Sequence, residues 1–88
     1  MEIIYLRQAL KDVKKIKNDG LKANLLRVIT TLKLAESLSE IQNTKAISGH
    51  PEAYRIRIGD YRLGIFYSEN TITIARFVKR EDIYKLFP

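Results

Sequence analysis

Between Arg55 and Arg80 the chain carries six cations, Arg55, Arg57, Arg62, Arg76, Lys79 and Arg80, against only Asp60 and Glu69. Guanidinium groups that converge on one surface present fixed forks of donors, and phosphate is the natural anion for them. A charged, solvated sheet face is the alternative, since antiparallel sheets commonly have one. The absence of balancing acids and the nearby Lys79-Arg80 pair favour anion binding. Tyr84, close behind that pair, can stack on a base or touch a phosphate, or simply pack.

The elements that must position these groups follow from periodicity. In YRIRIGDYRLGIFYSENTITIARFV (Tyr54 to Val78) the residues alternate, so Ile56 and Ile58 face one way while Arg55 and Arg57 face the other. Gly59-Asp60 reverses the chain. A second strand over Tyr61 to Tyr67 turns Leu63, Ile65 and Tyr67 to one face and Arg62 to the other. Ser68-Glu69-Asn70 makes a second turn, and Thr71 to Val78 a third strand. Short turns between three strands predict an antiparallel meander. Its apolar face can bury Ile56, Ile58, Leu63, Ile65, Ile72 and Ile74.

Upstream, Glu2 to Leu6 is β-prone and is expected to pair with the meander. Ala9, Val13 and Ile16 then recur at helical spacing, with Lys11, Lys14, Lys15 and Lys17 on the other face. Asn18-Asp19-Gly20 is expected to end this helix, with Gly20 in a left-handed C-terminal position. A second helix is predicted over Leu21 to Ser37, and the pair should form a hairpin covering the sheet. A DNA-reading helix pair fits less well, because the second helix is mostly apolar rather than presenting a polar recognition face. Ser37 to Pro51 has no clean period and ends in the loop signal Ser48-Gly49-His50-Pro51. After the third strand, Glu81 to Tyr84 predicts a helical turn, with Phe87-Pro88 packed as a tail.

At 88 residues with a formal charge of +6, the chain is expected to be one domain, residues 1–88, that buries roughly 60–65% of its unfolded surface. It has no cysteine and a single histidine, His50, which no Ser, Cys or Asp adjoins. Disulfides, zinc fingers and thiolate chemistry are therefore unsupported. The ten acids are scattered, so neither a two-metal site nor any other metal or cofactor site is expected. The opening MEIIYLRQALKDV lacks an extended apolar signal segment, and no stretch approaches the roughly 20 apolar residues of a membrane span. A soluble cytoplasmic protein without membrane partners is the expectation.

KAISGHPEAYRIRIGDYRLGIFY (Lys45 to Tyr67) and ARFVKREDIYKLFP (Ala75 to Pro88) resemble the RelE/ParE superfamily of toxin-antitoxin toxins. The strand and helical hairpin before them fit the same pattern. The resemblance implies an α+β, RelE/ParE-like fold, with the N-terminal strand and helical hairpin packed on a mainly antiparallel four-stranded sheet. It also implies a type II toxin neutralised by a cognate antitoxin encoded by an adjacent gene, closer to the RelE-like branch that cuts mRNA on the ribosome. By that similarity Arg55 and Arg57 are the basic pair of the second strand, Arg62 is the phosphate-contacting arginine of the third, and Arg80 and Tyr84 are the C-terminal pair of RNA-cutting members. Lys79 stands where many relatives have histidine, and it could act as a base only with a lowered pKa. The expected site is thus Arg62, Lys79, Arg80 and Tyr84 for catalysis and Arg55, Arg57 and Arg76 for RNA binding, with ribosome and mRNA as partners. Cleavage without metal needs activation of the 2′-OH, cations to stabilise the phosphorane and an acid for the leaving 5′ oxygen. A ParE-like inhibitor of DNA gyrase and an inactive antitoxin-binding module are the alternatives.

Overall fold

The computed structural model describes residues 1–88 and runs β1 (Glu2–Tyr5), α1 (Arg7–Lys14), α2 (Asp19–Leu34), a 3-10 turn (Leu38–Glu40), β2 (Thr44–Ile47), β3 (His50–Ile58), β4 (Tyr61–Ser68), β5 (Thr71–Lys79) and α3 (Arg80–Leu86). The strands form one sheet in the order β1-β5-β4-β3-β2. β1 runs parallel to β5, and every other neighbouring pair is antiparallel. A parallel pair cannot be joined by a hairpin, and here α1 and α2 carry the chain from β1 to β2 at the opposite edge, from which the antiparallel strands return it to β5.

The meander and the alternation hold. Ile56, Ile58, Leu63, Ile65, Ile72 and Ile74 are all buried, together with Phe77, against Ala9 and Ile16 of the first helical segment and Leu25, Ile29 and Leu32 of α2. Each such side chain contributes about 1.5–3 kcal/mol through apolar surface removed from water. Tyr61 leans on Phe77 with ring centroids 5.1 Å apart.

The sheet has five strands, not four. The additional strand, β2, falls in the stretch without a clean period: its four residues, Thr-Lys-Ala-Ile, show no alternation, and its pairing with β3 slips between Ala46 and Ile47. Asn18-Asp19-Gly20 opens a helix instead of closing one: the Asn18 side chain accepts the Leu21 N–H at 3.0 Å as the cap of α2. α1 closes earlier, where Lys15 and Ile16 N–H groups donate to the carbonyls of Asp12 and Val13. α2 stops at Leu34, short of Ser37, and the α-amino group of Met1 donates to its last carbonyls at Leu32, Lys33 and Ala35. Those carbonyls have no partner within the helix, and a cation there also suits its dipole.

Two irregularities shape the far face of the sheet. At Ala75 the β4–β5 register jumps, from Ile65 opposite Ile74 to Gly64 opposite Arg76. The extra residue is a β-bulge, and it inverts which side chains face the helices beyond it. β1 ends at Tyr5, opposite Ile74, which leaves the next stretch of the β5 edge without a strand. Asp12 of α1 closes that edge, accepting the Phe77 N–H at 3.0 Å and the Arg76 fork at 2.8 and 3.2 Å. Asp12 is only 3% exposed, and burial opposes its ionisation. Arg76, the Phe77 N–H and Gln8 together outweigh that and hold its carboxyl below the usual value of 3.8.

Candidate functional site

β3 carries its arginines away from the helical core, and its neighbours bring further cations to the same face. Arg57 pairs directly with Arg62 of β4, and Arg55 directly with Lys45 of β2. Side chains opposite one another in a sheet sit about 4.5–5.5 Å apart at their Cβ atoms, so like charges there repel. These four cations, with Asn43, Thr44 and Tyr84, line a cleft of about 400 Å³ that has no acidic residue in its wall.

The arginines are held by neutral partners. Arg62 donates through Nη1 to the carbonyls of Gly59 and Tyr61 at 3.0 and 2.9 Å, so it grips the β3–β4 turn. Gly59 adopts φ +59°, the left-handed conformation that suits glycine in this turn. Arg57 donates its backbone N–H to the Asn43 carbonyl at 3.0 Å, and its Nη2 lies 3.4 Å from Asn43 Oδ1. The Arg55 guanidinium sits over the Tyr84 ring, 5.0 Å from the centroid.

Tyr84 reaches the cleft because α3 is anchored. Ile83 and Phe87 pack with Ala53 and Ala75 in a second small core on this face, and Phe66 meets Phe87 at 5.0 Å. Gly64 makes that approach possible: a Cβ there would lie 2.7 Å from the Phe87 ring. The first turn of α3 is tied down by the Arg80 N–H, which donates to the Asp60 carbonyl at 2.9 Å. Arg80 and Tyr84 are one helical turn apart and share a face. Tyr84 stays 56% exposed. The neighbouring Arg80 guanidinium, with the charges of Arg55 and Arg62 adding to its effect, lowers the phenol below its usual 10.0.

The structure therefore gathers Arg55, Arg57, Arg62 and Tyr84 in one cleft, with Arg80 beside the phenol. It does not bring Arg76 or Lys79 there. Arg76 is committed to Asp12 at the sheet edge. The bulge at Ala75 turns Lys79 to the side that Phe77 faces, and it lines a separate cleft of about 300 Å³ with Lys15, Arg76 and Asp82. His50 is exposed at the β2–β3 turn and lines neither cleft. Asn43, Thr44 and Lys45 were missed with β2. The only available signal was the Ser48-Gly49 turn before β3, which folds the preceding residues back alongside Arg55.

A third, apolar groove lies on the helical side. Tyr5, Leu10, Val13, Leu25, Leu26 and Ile29 line about 520 Å³, with Lys14 and Lys22 at its rim. Leu26 is 65% exposed there. No helix is long and apolar enough to cross a membrane. No three His, Cys, Asp or Glu side chains gather as a metal-binding group.

Residues 3–84 match the family model described as the ParE toxin of the type II toxin-antitoxin system parDE. Toxin RelE3 of Methanocaldococcus jannaschii is 30% identical, with all of both chains covered. In the crystal structure of the RelB-RelE antitoxin-toxin complex from Methanococcus jannaschii, the matching chain superposes with a TM-score of 0.82 at 29% identity, covering 97% of this chain and 99% of that one. The YoeB-YefM complex from Staphylococcus aureus shares the fold, at a TM-score of 0.72 and 21% identity over 91% of this chain and 97% of the other. With the α+β architecture, the cationic sheet face and the C-terminal helix in place, the chain belongs to the RelE/ParE superfamily of type II toxin-antitoxin toxins.

Proposed function

We propose that this toxin is a metal-independent endoribonuclease that cuts mRNA on the ribosome in the cytoplasm. The observation that carries the proposal is the acid-free cleft in which Arg57 faces Arg62 and Lys45 faces Arg55 beneath Tyr84. Facing cations weaken the fold, and an anionic ligand that neutralises them relieves that repulsion. In the reaction the RNA 2′-OH loses its proton to water as its oxygen attacks the adjacent phosphorus. The bond from phosphorus to the 5′ oxygen breaks, leaving a 2′,3′-cyclic phosphate and a 5′-OH. Arg57, Arg62 and Arg80 stabilise the charge that builds on the phosphoryl oxygens, and Arg55 helps hold the strand. Tyr84 donates its proton to the leaving 5′ oxygen and stacks on a nucleotide. Lys79, on the other side of the β5 edge, has no part in this scheme. The test is to incubate the protein with programmed ribosomes and map RNA ends. Cuts at fixed codon positions are expected, and none at protein levels that saturate the ribosome would refute the proposal.

The matching family model is that of a ParE toxin, which favours one other reading, a gyrase-directed toxin. A supercoiling assay separates the two: inhibition with trapped DNA cleavage complexes and no RNA cuts would establish the gyrase reading.

The expected partner is an antitoxin from an adjacent gene. The lysine-rimmed apolar groove between α1 and α2 suits an acidic, amphipathic segment that folds as it binds. Apolar contact supplies most of the affinity there, and the exposed ion pairs add little individually. Co-purification with the neighbouring gene product, followed by hydrogen exchange, should protect Leu10, Leu25 and Leu26. No complex with any neighbouring product would contradict the assignment.

A further inference from the structure

We infer that the cleft grips two successive phosphates of a single-stranded RNA, and that Lys45 of β2 is the contact for the second. The inference rests on the RNA reading of the cleft given above. Its basis is the spacing of the cations across the sheet. One rung holds Arg57 and Arg62, and the next holds Lys45 and Arg55. The rungs are two residues apart along β3, about 7 Å at the rise of an extended strand. Side chains two residues apart point to the same face. That stagger matches the step from one phosphate to the next along an extended single strand. A lone phosphate would satisfy one rung and leave the other in unrelieved repulsion.

The four cations are not equally free. Arg62 is hydrogen-bonded to the turn, Arg57 to Asn43, and Arg55 is drawn over the Tyr84 ring. Each is thereby preoriented for a phosphate or a nucleotide. Lys45 makes no salt bridge and no side-chain hydrogen bond, and it is exposed on the wall of the cleft. A flexible point charge of this kind suits an electrostatic contact with a phosphate that is held but not cut. The edge position of β2 gives the strand a way past Lys45 and out of the cleft.

The experiment is an NMR titration of the folded protein with uncleavable 2′-O-methyl oligonucleotides, a dinucleotide with one phosphate and a trinucleotide with two, across a range of salt. Binding through cations releases counterions, so log K falls with log salt in proportion to the phosphates engaged, about 0.7 each for long single strands and less for short ones. The trinucleotide should show roughly twice the slope of the dinucleotide. Lys45→Gln should bring its slope down to the dinucleotide value and lower its affinity at low salt by up to about fivefold, the range of one exposed ion pair. Lys17→Gln, the same loss of charge away from the cleft, should leave the slope unchanged. Equal slopes for the two oligonucleotides, or a Lys45→Gln slope equal to that of the unaltered protein, would overturn the second-phosphate contact while leaving the nuclease reading standing. If neither oligonucleotide binds at low salt, both the contact and the anion-binding reading of the cleft fail.

Discussion

Replacing Arg57 by glutamine should make the protein more stable and less active. Arg57 is exposed and faces Arg62 directly, with no acid in the cleft to offset the pair. A like-charged cross-strand pair costs about 0.2–1 kcal/mol, and screening by solvent places this one near the middle, about 0.5 kcal/mol. The 3.4 Å contact from Nη2 to Asn43 Oδ1 is long and exposed, so its loss offsets little. For a domain of this size about 0.5 kcal/mol raises Tm by roughly 2–4 °C. The gain should appear in about 0.01 M salt and vanish in about 1 M, where charges are screened within about 3 Å. RNA cutting should meanwhile fall on the order of 100-fold, as when one preorganised donor to a transition-state oxygen is removed. Thermal melts at both salts, beside cleavage on programmed ribosomes, make the assay. A lower Tm, or a gain independent of salt, would refute the claim that this cleft is strained by its own charge.

Asp12→Ala should cost about 3 kcal/mol, because it leaves the Arg76 fork and the Phe77 N–H unsatisfied at a buried edge; chemical denaturation measures it. Asp12 has a lowered folded pKa, so its stabilisation is fully present above the ordinary carboxylate value and is lost as pH falls through the lower folded value, a loss that acid titration of the Asp12→Asn variant should not show. Gly64→Ala should drive Phe87 away, destabilise the protein by about 1–3 kcal/mol and loosen α3, read as lost hydrogen-exchange protection from Ile83 to Phe87. If Tyr84 acts as the acid, the chemical step should slow as pH rises through a pKa below 10.0, and Tyr84→Phe should remove that alkaline limb along with most of the rate.

Much of this was legible from residue types alone. β3 and β4 alternate cleanly, so the faces of Ile56, Ile58, Leu63 and Ile65 and of Arg55, Arg57 and Arg62 follow from period two. The bulge at Ala75 was not legible, because nothing in Ile-Ala-Arg-Phe marks an extra residue, and it turns Lys79 away from the cleft that Arg55, Arg57 and Arg62 line. The pairing of Arg76 was hidden for a related reason: its partner, Asp12, lies 64 positions away, beyond the reach of any local pattern. β2 is a four-residue edge strand held by its neighbour rather than by its own propensity, and Lys45 and Asn43 stayed hidden with it. Asn18-Asp19-Gly20 reads equally well as a helix stop or start, and the capping bond to Leu21 decides for the start.

In the proposed reaction this cleft drives attack of an RNA 2′-OH on its own phosphate. The most direct measurement places a single 2′-deoxy nucleotide at the mapped cut position of a ribosome-bound mRNA. Cutting should stop at that position alone, and cuts in the unaltered message should end in a 2′,3′-cyclic phosphate and a 5′-OH. Continued cutting at the deoxy position would contradict it.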